Sequence, residues 1–149
     1  MADTKGRVER IWLKRMKGGP MDPQERATLV AGRGLAGNAN QGGTRQITIL
    51  SLETWERISS GVSAGLDPAR RRANLLVSGV DLAHSRGRVL RVGESRIRIH
   101  GETRPCEQMD AAARGLRAGL SEPWGGGVFG EVLDDGDIAV GDVVTVSDN

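Results

Sequence analysis

Glycine recurs 22 times in these 149 residues, scattered along the chain rather than gathered in one tract. A residue without Cβ adopts the left-handed backbone that tight turns need, and it weakens the interior of any regular element. The scatter therefore predicts numerous tight turns between short strands. Hydrophobic periodicity locates them. Arg7 to Leu13 supplies Val8, Ile11, Trp12 and Leu13, and Ala27 to Ala31 is a second short strand. Gln46 to Leu50 sets Ile47 and Ile49 on one face, and Ala73 to Val77 is an apolar run of strand length. Arg88 to Val92 and Ser95 to His100 read as a hairpin about Gly93-Glu94, with Ile97 and Ile99 facing one way and Arg96, Arg98 and His100 the other. Val128 to Leu133, the turn Asp134-Asp135-Gly136, and Ile138 to Asp142 read as a second hairpin, with Val143 to Val146 the closing strand.

Helices are few. Ser51 is a good N-cap for a short helix that places Leu52, Trp55 and Ile58 on one side, with Trp55 read as core. Asp67-Pro68 starts a further helical turn. Met109, Ala112, Ala113, Leu116 and Leu120 recur at helical spacing. Gly32 to Gly43 holds five glycines, Asn38 and Asn40, and is expected to be irregular. The βαβ alternation of a doubly wound fold is missing. The expected fold class is mainly β, a β-barrel of mostly antiparallel strands with a few short helices. Its length fits a single domain, residues 1–149.

Composition excludes several classes. A net charge of +2 is too small for general nucleic-acid binding, and 3% aromatic residues supply few stacking platforms. No apolar run approaches the roughly 20 residues of a membrane helix. Met1 to Gly6 lacks the plan of a signal peptide. The expectation is a protein with no membrane and no nucleic-acid partner, in a reducing cytoplasm where a lone cysteine stays free. Two histidines and one cysteine, far apart, cannot supply zinc-finger spacing. The glycine turn at Gly125-Gly126-Gly127 lacks the Lys-Ser/Thr of a phosphate-binding P-loop. The basic side is nearly all arginine, which grips phosphate and carboxylate in a fork.

Cys106 is the strongest chemical candidate. It lies between a strand ending near His100 and the helical pattern from Met109, with Pro105 suited to a first helical turn. A thiol at a helix N-terminus, beside Arg104, is favoured as thiolate. The alternative is a buried structural cysteine, since free Cys is among the most buried residue types. A Cys106–His100 nucleophile pair is a further possibility. Arg72 and Asn74, two apart on the expected strand, would point to the same face. His84, in the connection from Gly79 to Gly87, is read as incidental.

Five segments in this order resemble the MOSC domain, the C-terminal domain of molybdenum cofactor sulfurases. They are Arg45-Gln46-Ile47-Thr48-Ile49-Leu50; Arg72-Ala73-Asn74-Leu75-Leu76-Val77-Ser78-Gly79-Val80-Asp81-Leu82; Thr103-Arg104-Pro105-Cys106-Glu107-Gln108-Met109; Gly126-Gly127-Val128-Phe129-Gly130-Glu131-Val132; and Val140-Gly141-Asp142. The resemblance implies a β-barrel and a role around sulfur transfer or the molybdenum cofactor (molybdopterin). It implies Cys106 as persulfide acceptor or molybdenum thiolate ligand. It implies Arg72 and Asn74 as contacts of the pterin and its phosphate, with Thr103 and Arg104 flanking the cysteine and holding the anion. Where many members carry an acidic residue and often a histidine after the glycine-rich loop, this chain has Gly37-Asn38-Ala39-Asn40. The implied partners are a small anionic cofactor and a separate cysteine desulfurase or reductase. A binding module that keeps the barrel without metal is the alternative.

Overall fold

Strands of two to nine residues carry the chain, most of them with a buried face, and a sheet with one apolar face must find cover for it. Here it covers itself by closing. The structure is a computed structural model that describes residues 5–61, 66–103, 118 and 123–148. In chain order the elements are β1 (Gly6–Lys14), β2 (Met21–Gln24), β3 (Arg26–Val30), β4 (Gly34–Leu35), β5 (Ile47–Ser51), α1 (Leu52–Ser60), a 3₁₀ turn (Pro68–Arg71), β6 (Leu75–Ser78), β7 (Val89–Val92), β8 (Ser95–Glu102), β9 (Val128–Val132), β10 (Gly136–Ala139) and β11 (Val143–Ser147). The main sheet runs β11-β7-β8-β9-β5-β6-β1-β2, and an additional β11–β1 pairing closes the ring with β2 left outside. A smaller sheet, β10-β3-β4, packs beside it. The fold class is mainly β, as the sequence predicts. Among the described residues no helix is long and apolar enough to cross a membrane.

Alternation decides the core. β8 is strictly alternating, so Ile97 and Ile99 are fully buried while Arg96, Arg98 and His100 lie on the outer face. They pack inside the barrel with Val8, Ile11, Ile47, Ile49, Leu75, Val77 and Val128. β1 departs from alternation, with Ile11, Trp12 and Leu13 buried in succession. The reason is a second core outside the wall, where Trp12, Leu50 and Leu76 meet Trp55 and Ile58 of α1. Ser51 caps that helix by accepting from the Thr54 N–H at 3.3 Å.

Three expectations need correction. β9 and β10 do not form a hairpin. Asp134 accepts two bonds from the Arg96 guanidinium, at 2.7 and 3.1 Å, and Asp135 accepts from the Ala31 N–H at 2.7 Å. Each carboxylate thus ties the turn to a different partner, and β10 crosses to pair with β3, Ile138 opposite Ala27. The glycine-rich stretch from Gly32 is not wholly irregular either. Leu35, fully buried, draws β4 against β3, and the Gln41 amide donates to Leu35 O and Asn38 O at 2.7 and 2.9 Å. Finally, Arg72 and Asn74 precede β6 rather than lying on it. Arg72 caps the 3₁₀ turn in the left-handed region at φ 65°, because its own N–H reaches back to Ala69 O. β5 and β6 pair in parallel, joined by α1 and the 3₁₀ turn that the crossover requires.

Candidate functional site

Three cationic side chains converge where β1 ends and β5 and β6 begin. Lys14 closes β1, Arg45 stands just before β5, and Arg72 leaves the 3₁₀ turn. With Asn38, Asn40, Gln46, Thr48 and Asn74 they line a cleft of about 40 Å³. No carboxylate is among these described lining residues. Arg72 donates to Gly19 O at 2.6 Å, which steadies its guanidinium over the opening. Arg45 lies 5.9 Å above the centre of the Phe129 ring. The Lys14 ammonium is held below its ordinary pKa, first by burial and then by the like charges of Arg72, Arg45 and Lys17. A cluster of cations strained in this way is relieved by an anion.

Asn74 serves the cleft from behind. It is 5% exposed and its amide is fully engaged. Its Oδ1 accepts from the Thr48 N–H and hydroxyl at 3.1 and 3.2 Å, and its Nδ2 donates to Trp12 O and Asn38 Oδ1 at 3.3 and 3.2 Å. An amide has two donors and two acceptor sites, so none is left over for a ligand. Asn38, also buried, uses the same Oδ1 to accept from the Lys14 backbone N–H at 2.9 Å. The residue that stands in the Gly37-Asn38-Ala39-Asn40 departure therefore fixes the backbone from which Lys14 projects.

A smaller hollow continues from the cleft, sharing Arg45, Thr48 and Arg72, and reaches Arg71, Thr103 and Gly126. Thr103 is buried, with its hydroxyl donating to Gly126 O at 2.5 Å and accepting from Arg71 Nη2 at 2.8 Å. It is the last described residue before the cysteine segment. Cys106 and Arg104 lie outside the described residues, as does the helical pattern from Met109. His100, the alternative partner for the thiol, pairs through Nε2 with Glu131 at 3.1 Å.

Sequence reasoning missed Lys14, Asn38 and Arg71. Arg45 stood in a quoted segment without a role. Arg71 carried a usable signal, since three consecutive arginines after a turn-starting Pro68 cannot all project the same way. A larger cavity of about 530 Å³ lies beside Leu52, Trp55 and Leu66 and shares no lining residue with the cleft. Its charged rim includes Glu9, Glu56 and Asp67 against Arg10, the wrong balance for an anion. Chemistry rather than size therefore selects the smaller cleft. His84 and Trp124, both at positive φ, place their rings 5.6 Å apart, and neither lines the cleft.

Comparison with known proteins agrees with this architecture. The family model of the MOSC domain matches residues 17–145. No curated protein matches the chain at the level of sequence. Among solved structures, the YUAD protein from Bacillus subtilis superposes with a TM-score of 0.81 at 19% identity, covering 95% of each chain. YiiM from Geobacillus stearothermophilus gives 0.74 at 12% identity, over 95% of this chain and 74% of that one. YiiM from Escherichia coli gives 0.66 at 19% identity, over 94% and 69%. At these identities the likeness concerns the fold alone.

Proposed function

Since the chain belongs to the MOSC domain family, a family commonly tied to the molybdenum cofactor and to sulfur chemistry, we propose that it binds that cofactor by its phosphate between Lys14, Arg45 and Arg72, with Cys106 as molybdenum thiolate ligand or persulfide acceptor. The observation that carries this reading is the convergence of three cations on a cleft with no carboxylate among its described lining residues. The donor set fits the group: forked guanidinium N–H groups and an ammonium match phosphate oxygens. The volume fits a phosphate-sized moiety, about three waters' worth at ~10–15 Å³ each, so the pterin itself extends beyond it.

Each residue then has a task. Arg72 and Arg45 clasp the anion, and Lys14 adds a charge whose depressed pKa rises when the anion arrives. Asn74 and Asn38 hold the cleft wall rather than touch the ligand. Thr103 leads into the cysteine-bearing segment beside the same hollow, and three residues of chain can reach up to about 11 Å, a length that permits Cys106 to meet a ligand held there. A thiolate is a suitable ligand for molybdenum and a suitable acceptor for sulfur. The bound cofactor would supply a redox-active metal, and the protein supplies grip, orientation and the thiol.

A second reading keeps the cleft and omits the metal. It is favoured by the engagement of Asn74, an expected pterin contact, wholly within the protein. Titration calorimetry with inorganic phosphate tests what both readings share. Phosphate is expected to bind, and Arg72→Ala or Lys14→Met to weaken it tenfold or more, as loss of a charge-assisted bond of about 1.5–3 kcal/mol requires. Affinity equal in all three proteins would remove the cleft from the account.

A further inference from the structure

Lysine is rare in this chain: Lys5, Lys14 and Lys17 are the only three. Lys5 and Lys17 are exposed, whereas Lys14 is half-buried at the end of β1. Its root is rigid, because the Lys14 N–H donates to Asn38 Oδ1 at 2.9 Å and Lys14 O accepts from the Ala39 N–H at 2.7 Å. Its neighbours are engaged, Arg72 with Gly19 O and Arg15 with Asp22 Oδ2 at 2.9 Å. The Lys14 amine makes no hydrogen bond or ion pair among the described residues. Burial, then the charges of Arg72, Arg45 and Lys17, hold it below its ordinary pKa. More of it is therefore unprotonated near neutral pH than of an exposed lysine, and the unprotonated amine is the nucleophile.

We propose, resting on the reading of the cleft as a phosphate site, that Lys14 is a self-acylation site for small acyl phosphates: Arg45 and Arg72 hold the phosphate group while Lys14 Nζ attacks the carbonyl joined to it. The cleft, of about 40 Å³, admits the phosphate and leaves the acyl group at its mouth. Guanidinium groups stay charged at any working pH and take the phosphate oxygens in a fork, so the amine is the group free to lose its proton. Holding the two reactants side by side removes most of the entropy cost of their meeting. The nitrogen lone pair forms an N–C bond, and the C–O bond to phosphate breaks. The electron pair leaves on the phosphate oxygen, the amine proton passes to water, and nothing is oxidised or reduced. The products are an uncharged amide at Lys14 and inorganic phosphate. One of the three cations is thereby lost, so acylation turns down anion binding at the same cleft.

Acetyl phosphate, incubated with the full chain near neutral pH and followed by peptide mass spectrometry, tests the proposal with Lys5 and Lys17 as internal controls. Lys14 should acetylate about tenfold faster than either or more. Saturating inorganic phosphate should slow Lys14 by about fivefold or more and leave Lys5 and Lys17 unchanged. N-acetylimidazole, which delivers the same acyl group without phosphate, should show a preference for Lys14 several-fold smaller. Calorimetry should find that the acetylated chain binds phosphate about tenfold more weakly, as Lys14→Met does. Equal preference with both donors, or acetylation of Lys14 that inorganic phosphate does not slow, overturns the proposal. Phosphate binding by the wild type with no preference for Lys14 overturns it too, and leaves the cleft standing. Absence of phosphate binding overturns the reading of the cleft itself.

Discussion

Lys14 bears a penalty that an anion would lift. Its pKa is depressed in the folded chain, so charging it costs stability wherever it is protonated in both states. That cost is fully present below the depressed folded value. It fades as pH rises from there toward the ordinary 10.5. Lys14→Met should therefore stabilise the ligand-free protein at neutral pH, by at most about 1 kcal/mol since the group is partly solvated, even as it weakens phosphate binding. Thermal melts of both proteins at pH 7, with and without phosphate, check the sign: the variant should melt higher without phosphate and gain less with it. Asn74 is the opposite case. Asn74→Leu would strand the Thr48 N–H and Trp12 O in the wall, at about 1–3 kcal/mol for each group left without a partner. Denaturant unfolding should show a loss of several kcal/mol, and a loss under 1 would mean that the Asn74 network does not hold the cleft.

At the scale of elements, the strands were legible because period-two alternation survives burial on one face. That pattern points Ile47, Ile49, Ile97 and Ile99 inward, and all four are buried. The α1 cap was legible for the same local reason, since Ser51 and its acceptor role depend on three residues. What sequence could not show was pairing between distant elements. The Asp134-Asp135-Gly136 turn has hairpin chemistry, yet Arg96 and Ala31 claim its carboxylates and send β10 to another sheet. Likewise Arg70, Arg71 and Arg72 are alike in sequence, and only the left-handed turn at Arg72 sorts them into an exposed, a buried and a cleft-lining residue. Gly126→Ala should be poorly tolerated, since its Cβ would stand 2.5 Å from Thr103 O, and should lower the melting temperature where Gly18→Ala, with nothing within 4 Å of the new Cβ but a left-handed φ, has a smaller effect. Ion pairing on the outer face adds pH dependence. The Arg96 bonds hold the Asp134 carboxyl below its ordinary value of 3.8. A depressed carboxyl contributes stability above that value and loses it as pH falls through the folded value. The wild type should melt above Asp134→Asn at pH 7, and the difference should shrink as pH drops below about 4.

For the whole molecule, a ring of seven strands leaves the ends of β1, β5 and β6 side by side at one rim, and the cations collect there. The barrel interior is filled chiefly by the aliphatic side chains of its main cluster, which serves as a frame for the cleft at its edge. Ile99→Asp would place a charge in that frame and should abolish cooperative unfolding. A folded, soluble Ile99→Asp protein would show that the strand faces are misassigned. The Cys106 segment was legible as candidate chemistry, since a lone thiol after a strand draws attention, while the cleft is built by residues nearly 60 positions apart, Lys14 and Arg72. The decisive measurement is molybdenum and pterin per chain, by elemental analysis and mass spectrometry, in protein isolated from cells that make the cofactor. Wild-type protein should carry both, Arg72→Ala should carry little of either, and Cys106→Ala should lose molybdenum or the persulfide mass. Equal content in all three, or neither species nor a persulfide in the wild type, would contradict the account.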